Sequence, residues 1–380
     1  MDLDLSKDQQ MVKSAVREFL DKECPKEVVR EIAASETGHS EALWRKMAEL
    51  GWMGMAIPEE YGGLGGASPD FVELAAMLEE MGYGLVPSAF FSTIVLGALP
   101  ILNVGTESQK ELFLPAIAEG RVKFALAVSE PHMSFDASAI ETRAEIHGEG
   151  YRITGKKRFV ENGHIADYVI CVARTGDQGA PEEGVTLFIA DGKSPGLSIR
   201  AIPVIGLERQ CEIEFQRVVV PKEHMLGQEG GGWSVLQDIL EKAKVFRSAQ
   251  MLGGIEACLG ITNAYVKKRV QYGRTIGSFQ VVQHSLADVW MDAASSRDVV
   301  YKAASMMNSG VPCQTMASVA KTWTGTAFVR VAKTCVELHG ALGVTQECDI
   351  GLYYRQARAW NTSFGSAEGE LAKIGERLAR

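Results

Sequence analysis

A few side chains in this sequence could bind a phosphate. In the segment RVQYGRTIGSFQVVQHSLAD, Arg269 stands close before Tyr272, and both are followed by Gln280 and Gln283. A planar guanidinium can pair with two phosphate oxygens at once, so Arg269 is a candidate for binding a pyrophosphate. The alternative is an exposed helix–turn–helix whose arginine is solvated.

Two carboxylates are weaker candidates for moving a proton. Glu130 lies in the segment SEPH, and Glu161 lies in FVENG. An ionised carboxylate can accept a proton, but only a protonated one can donate. The alternative for Glu161 is a solvated glutamate in a turn.

The bulk composition argues against several classes of partner. The net charge is −9 at pH 7, which argues against a nucleic-acid or anionic-membrane surface. The longest apolar stretch, 89–102, is shorter than the roughly 20 residues of a spanning helix. The acidic, polar start of the sequence predicts no signal peptide, so we expect a cytoplasmic protein.

The cysteines predict neither a metal site nor a disulfide framework. There are 7 of them, widely spaced, with no CxxC pair and no cluster with histidine at metal-ligand spacing. We therefore expect reduced, mostly buried thiols.

The hydrophobic pattern changes period twice along the chain. Residues 1–120 predict helices, with Phe71, Leu74, Ala75 and Leu78 in an amphipathic stripe. Residues 121–228 predict a β-domain, because apolar residues alternate in GVTLFIAD and CEIEFQ between glycine and proline turns. Residues 229–380 return to the helical period, so we expect an α+β chain of three domains.

Four segments resemble motifs of the acyl-CoA dehydrogenase family in order and spacing. Residues 129–131 with Asp136 resemble the turn TEPxxGSD, and GKKRFVENGHIAD resembles GxKxWITNGxxAD. The segment 269–288 matches a long family pattern, and ELHGALG (337–343) precedes the tail RQARAWNTSFGSAE.

The resemblance implies a helical N-domain, a small β-barrel middle domain and a four-helix-bundle C-domain. It implies FAD between the β-domain and the bundle, with its far end held by a neighbouring subunit. It further implies an acyl-CoA substrate and an electron-transferring flavoprotein as the electron acceptor.

On this resemblance, several residues that would contact the chain's own flavin depart from the family pattern. Ser129 keeps a hydroxyl that touches the flavin ring. Phe135 replaces a serine near the phosphates, and Phe159 replaces a tryptophan that can stack on the ring. Glu161 stands where a threonine donates a hydrogen bond to flavin N5, so we expect its pKa to be raised or its side chain to point away.

The residues that would contact a neighbour's flavin are nearly intact. Arg269 matches an arginine on the pyrophosphate, Tyr272 matches an aromatic that packs on the cofactor, and Gln280 is nearby. Outside this segment, Glu337 replaces a glutamine that contacts FAD and should weaken that contact, whereas Gly340 keeps the close backbone approach of the family.

The resemblance leaves this chain without a catalytic base at the usual positions. Phe364 stands where most members carry a glutamate, and Ala243 stands where some branches carry it instead. The loop GLVPSAFFS contains no acid, and its Phe91 is expected in the core or in an apolar pocket wall. Glu241 and Lys244 match family residues near the CoA substrate.

Two interpretations remain open at this level. The chain is one subunit of a hetero-oligomeric acyl-CoA dehydrogenase whose homologous partner carries the base. Alternatively, it is a stand-alone enzyme with a relocated base, for which Glu161 or Glu130 are weak candidates, or it catalyses a base-independent acyl-CoA reaction.

Overall fold

The computed structural model describes residues 4–133, 135–176 and 179–379. Its elements follow one another in a helical, a β and a second helical block, as the sequence predicted. The first block contains α1 (Lys7–Glu23), α2 (Lys26–Ala34), α3 (Glu41–Glu49), α4 (Phe71–Gly84), a π-helix (Phe91–Ala98), α5 (Leu99–Val104) and α6 (Glu107–Ala118).

Several helices of the first block, α1 and α4 among them, begin at polar caps. Ser6 and Gln9 exchange side-chain and backbone hydrogen bonds at the start of α1, which is a capping box. The carboxylate of Asp70 accepts hydrogen bonds from the backbone N–H groups of Val72 and Glu73 at the start of α4. These caps satisfy N–H groups that have no partner within the helix.

The middle block forms one eight-stranded sheet in the order β6-β7-β3-β2-β4-β5-β8, with β1 beside β4. The strands are β1 (Phe124–Ala127), β2 (Arg143–His147), β3 (Gly150–Glu161), β4 (Tyr168–Arg174), β5 (Val185–Asp191), β6 (Leu197–Ile202), β7 (Gln210–Pro221) and β8 (Met225–Leu226). β1 and β2 run parallel to β4, and the other pairs are antiparallel.

The alternation predicted for β5 is present, but both faces of this strand are buried. Leu187 and Ile189 belong to the main core, whereas Phe188 and Ala190 belong to a second core within the sheet. The strand therefore separates two apolar layers instead of an apolar and a solvated face.

The last block contains the longest helices. They are α7 (Gly232–Lys268), α8 (Gln280–Asn308), α9 (Gln314–His339), α10 (Ile350–Thr362) and α11 (Ala367–Leu378), with a short hairpin of β9 (Val270–Gln271) and β10 (Arg274–Thr275) between α7 and α8. α9 packs against α7, α8, α10 and α11, and α7 also packs against α4.

Helix α4 is buried on more of its surface than the predicted amphipathic stripe indicated. Leu74 to Gly82 are all buried, including Glu79 and Glu80, because α4 lies between α1, α7 and α8. Lys13 and Arg17 of α1 pair with these two carboxylates, which compensates for the loss of their hydration.

Within the described ranges, no helix has the length and apolar character needed to cross a membrane. The same part of the chain contains no group of three or more His, Cys, Asp or Glu side chains placed to hold a metal ion.

Candidate functional site

A buried arginine lies where the sheet, α7 and α10 meet. Arg247 on α7 has no exposed surface. Its Nη2 donates to Oε2 of Glu161 at 2.6 Å, and its Nη1 donates to Oε1 of Gln250 at 2.8 Å. Oε1 of Glu208, in the loop between β6 and β7, lies 3.8 Å from Nη1. This cluster joins the end of β3 to the middle of the longest helix.

Aromatic rings cover the guanidinium of Arg247. Its Cζ lies 3.9 Å from the ring centroid of Phe91, 5.3 Å from that of Trp360 and 5.6 Å from that of Phe364. The rings of Phe91 and Phe364 stack with centroids 5.7 Å apart. Phe364 therefore contributes packing and cation–π attraction where the resemblance places a catalytic carboxylate.

Glu208 is the second carboxylate of the cluster. Its burial raises its pKa, the nearby charge of Glu161 acts in the same direction, and Arg247 opposes both. Nε2 of Gln356 donates to Glu208 at 2.6 Å, and Nε1 of Trp360 donates to it at 2.9 Å. Both carboxylates near Arg247 thus have hydrogen-bond donors of their own.

The position of Glu161 excludes one of the alternatives considered from the sequence. Its side chain is 9% exposed and accepts a hydrogen bond from Arg247, so it is not a solvated turn residue. From the sequence we expected Glu161 either to have a raised pKa or to point away from the flavin. Neither expectation included a cationic partner. In this pair the carboxylate acts as a hydrogen-bond acceptor for Arg247.

Glu130 is held in a structural ion pair, which argues against it as a general base. Its carboxylate accepts hydrogen bonds from Nζ of the buried Lys157 at 2.7 Å and from the backbone N–H groups of Glu141 and Thr142. Burial acts to raise the pKa of Glu130, but the charge of Lys157 and these hydrogen bonds bring it below its usual range.

Lys244, predicted to lie near the substrate, is buried in an ion pair within the chain. Its Nζ donates to Oε2 of Glu370 at 2.7 Å, and this oxygen also accepts from Oγ of Ser318 at 2.6 Å. Glu241 is partly buried, and burial followed by the charge of Asp238 raises its pKa. The CoA-binding role of these two residues stays a prediction, and Lys244 would have to leave Glu370 to fulfil it.

The residues assigned to a neighbour's cofactor are exposed. Arg269, Tyr272 and Gln280 all lie on or beside the hairpin, and Tyr272 is 94% exposed. The guanidinium of Arg274 lies 4.1 Å from the ring centroid of Phe279, which supports the hairpin from one side. The hairpin therefore exposes a cation and an aromatic ring at the surface of this chain.

The residues assigned to the chain's own cofactor are only partly accessible. Ser129 is partly buried, and its backbone carbonyl accepts a hydrogen bond from the N–H of Arg158. Phe159 lies where the β3–β7 register shifts, has a φ of 55° and leaves 40% of its surface exposed. This strained bulge turns its ring toward solvent, whereas Glu161 faces the buried Arg247.

Glu337 lines a shallow pocket of about 450 Å³ at the end of α9, together with Lys333, Gly343 and Arg355. Nζ of Lys333 lies 3.5 Å from Oε1 of Glu337. Gly340 has a φ of 62°, a conformation that favours glycine. The two cations reduce the repulsion predicted between Glu337 and a phosphate.

The sequence did not single out Arg247, Glu208 or Glu370. One signal was present for Arg247, because it is the only charged residue between Lys244 and Glu256 in a segment with the helical period. Glu208 and Glu370 lie in polar surroundings in the sequence, and only the fold places them beside Arg247 and Lys244.

Comparison with known proteins gives matches over nearly the whole chain. Family models described as the N-terminal, middle and C-terminal domains of acyl-CoA dehydrogenase match residues 6–121, 125–218 and 230–379. The chain is 31% identical over 388 residues to a short-chain-specific acyl-CoA dehydrogenase of Clostridium acetobutylicum, with 100% of both chains covered.

Two further relatives are similar over their full lengths. The caffeyl-CoA reductase–Etf complex subunit CarC of Acetobacterium woodii is 30% identical over 381 residues, with 99% of both chains covered. The solved structure of butyryl-CoA dehydrogenase from Megasphaera elsdenii superposes with a TM-score of 0.93 at 31% identity, with 100% of both chains covered.

Proposed function

Because this chain belongs to the acyl-CoA dehydrogenase family of FAD-dependent oxidoreductases, we propose that it serves in the α,β-dehydrogenation of an acyl-CoA thioester as one subunit of a hetero-oligomer. The observation that carries the proposal is the contrast between two regions. Phe364, at the position predicted for the base, packs against Phe91 and Arg247, whereas Arg269 and Tyr272 are exposed at the surface.

Neither usual position of the base can remove a proton. Phe364 has no lone pair to accept one, and Ala243 is a fully buried methyl group. In this proposal the carboxylate that takes the α-proton belongs to a homologous chain, called here the complete subunit. FAD, when bound, supplies the acceptor for the hydride from the β-carbon.

The two sides of the chain differ in how well they fit FAD. The exposed guanidinium of Arg269 suits a pyrophosphate, and the exposed ring of Tyr272 suits a flat or apolar part of the cofactor. On the chain's own side, Phe159 offers an exposed ring, but Glu161 offers N5 no donor because Arg247 holds its carboxylate. The neighbour-facing residues fit the cofactor, and the chain's own N5 position does not.

The surface of the last block is suited to contact with another chain. Large apolar side chains are exposed on α8 and α9, among them Val281, Trp290, Met291 and Trp323. Apolar side chains of this size are commonly covered in an assembly. We propose the complete subunit as the partner, an acyl-CoA as the substrate and an electron-transferring flavoprotein as the electron acceptor, the last in keeping with the Etf complex named for one relative.

The proposal is tested by purifying the chain alone and together with the product of any adjacent acyl-CoA-dehydrogenase-like gene. We expect the chain alone to show no reduction of flavin by acyl-CoAs and the complex to show it. Full FAD occupancy and turnover by the chain alone would instead establish a stand-alone enzyme with a relocated base or a base-independent reaction.

A substitution in the hairpin tests the contact with the neighbour's cofactor. Arg269→Ala should weaken FAD binding by the complex about 10- to 100-fold, because a charge-assisted hydrogen bond to phosphate is lost. The matched control is Arg200→Ala, which removes another exposed arginine, one that pairs with Glu212 on the sheet. The measurement is the flavin retained per complex after dialysis, and equal retention by the two variants would contradict the assignment.

A further inference from the structure

The proposed function leaves Arg247 without a role, although its burial and contacts are unusual. The guanidinium is completely buried, and it joins Glu161 of β3 to Gln250 of the same α7. A buried cation is costly unless it is paired and hydrogen-bonded, so the surrounding residues must be arranged to hold it. Its neighbours include Glu161 and Phe364, which are among the residues that depart from the family pattern at the chain's own site.

Aromatic rings lie against this guanidinium, in addition to its hydrogen-bond partners. Phe91, from the start of the π-helix, lies 3.9 Å from Cζ, and Phe364 and Trp360 lie within 5.6 Å of it. Phe91 is 2% exposed and Trp360 is 4% exposed. Ring, guanidinium and carboxylate together fill the junction between the sheet and the helices.

One alternative role for Arg247 is to anchor an anionic group at the end of an acyl chain. In favour of it, Nε of Arg247 has no hydrogen-bond partner. Against it, a ligand carboxylate at Nε would lie near two carboxylates, Glu161 at 2.6 Å from Nη2 and Glu208 at 3.8 Å from Nη1. The positive charge is already balanced within the chain, so an added anion would be repelled.

We propose that Arg247, Glu161, Glu208, Phe91 and Phe364 form a plug that closes this chain's own site to both the flavin ring and the acyl chain. In this proposal the plug occupies the space of a ligand, and its side chains pair and pack with one another. Each copy of the chain then contributes the hairpin to a neighbour and no reactive site of its own. This inference deepens the proposed function and rests on it for the identity of the chain that performs the chemistry.

The experiment compares single and paired substitutions in the assembled complex. Arg247→Leu leaves Glu161 buried without its cation, whereas Glu161→Gln keeps the size of the side chain and an acceptor for Arg247. Arg200→Leu is the matched control, because it removes an exposed arginine from an ion pair on the sheet. The readouts are the Tm, the kcat and KM for an acyl-CoA, and the number of FAD molecules per copy of this chain.

We expect Arg247→Leu to lower the Tm by roughly 5 °C and the double variant Arg247→Leu/Glu161→Gln to recover part of the loss. At equal amounts of folded complex, KM and kcat should stay within about twofold of the wild type, since no substrate touches the plug. If Arg247→Leu does not assemble, Glu161→Gln alone supplies the test, with a smaller fall in Tm and the same kinetics.

Two results would overturn the plug. The first is a KM raised tenfold or more by Arg247→Leu with an unchanged Tm, which is the signature of a ligand anchor. The second is a wild-type complex that holds one FAD in the site of every copy of this chain, in addition to the FAD of the complete subunit.

The flavin count separates failure of the plug from failure of the proposed function. A chain that assembles only with itself and holds no flavin would contradict the proposed hetero-oligomer but not the proposed plug. A hetero-oligomer in which every subunit binds flavin, but only the complete subunit supports turnover, would contradict the plug and not the proposed function.

Discussion

At the scale of single residues, Phe364 has a packing role at the position where the resemblance predicts a carboxylate. It has a φ of 58°, which is strained for a bulky side chain, and the next residue, Gly365, has a φ of 124°. The strain is tolerated because the ring stacks on Phe91 and lies over Arg247. The residue has acquired a packing role, so restoring its carboxylate does not by itself restore a site.

Phe364→Glu tests this view of the missing base. We expect it to lower the free energy of unfolding by about 1–3 kcal/mol, because a stacked ring is replaced by a charged chain. The variant alone should still fail to reduce flavin with acyl-CoAs, because Arg247 and Glu161 remain paired. Phe364→Leu is the apolar control, and urea unfolding with anaerobic reduction assays is the measurement. Turnover by Phe364→Glu alone would mean that the base was the only missing element.

Lys321 is a second residue whose surroundings predict a measurable effect. Its Nζ donates to the backbone carbonyls of Asn361 at 2.7 Å and Gly365 at 3.3 Å, directly beside the loop that carries Phe364. Burial lowers the pKa of Lys321 to about 7, Glu370 opposes this, and Arg247 and Lys244 add to it. The loop is thus fixed by a cation that is costly to keep charged.

The pH dependence of stability follows from the direction of this shift. An unfolded lysine titrates near pH 10.4, so above pH 7 the unfolded state binds more protons than the folded one. The stability of the wild type should therefore rise between about pH 7 and 9, by up to about 1.4 kcal/mol per unit from this group. Lys321→Met should remove this slope, and the exposed Lys46→Met should keep it, when urea unfolding is followed across that range. Parallel curves for wild type and Lys321→Met would contradict the assignment.

At the scale of elements, the β9–β10 hairpin is the part of the chain that reaches outward. Its two turn residues, Tyr272 and Gly273, have φ values of 50° and 76°, as a two-residue hairpin turn of type I′ requires. Tyr272 adopts this strained conformation, and its side chain is almost fully exposed. A strained, exposed aromatic is consistent with a residue placed for contact rather than for folding.

Gly273→Val should distort the turn without affecting the core. A β-branched residue at a positive φ is disfavoured by about 1–2 kcal/mol, so the hairpin should shift or fray. We expect the complex to lose flavin on dialysis while its Tm changes little, since a Cβ at Gly273 meets no other group. Gly375→Ala on α11, where a Cβ is also unobstructed, is the control. Full flavin retention by Gly273→Val would show that the turn geometry is dispensable.

At the scale of the whole molecule, the three-block architecture and the family predicted from the four motifs are confirmed. The superposition on butyryl-CoA dehydrogenase over the full length supports the same fold. The domain limits at 120 and 228, the cytoplasmic location and the roles of individual site residues stay predictions. The sequence could predict which site residues depart from the family pattern, but not how these residues are arranged in space.

The reason is visible in particular pairs of residues. Glu161 and Arg247 are separated by 86 positions, and Lys244 and Glu370 by 126. Nothing local in the sequence marks these side chains as partners, because pairing of this kind depends on which elements pack together. Glu161 could be identified as unusual from FVENG, yet the cation that neutralises it was found only in the fold.

The sequence by itself determined the order and type of the elements and the family, and it predicted that the base is missing at Phe364 and Ala243. These features follow from local periodicity and from the motifs, which are recognised within short segments of the chain. Only the tertiary structure decided that Arg247 pairs with Glu161 and that Lys244 pairs with Glu370. Burying a charge is tolerated only where distant elements bring a partner to it, and that condition is set by three-dimensional packing.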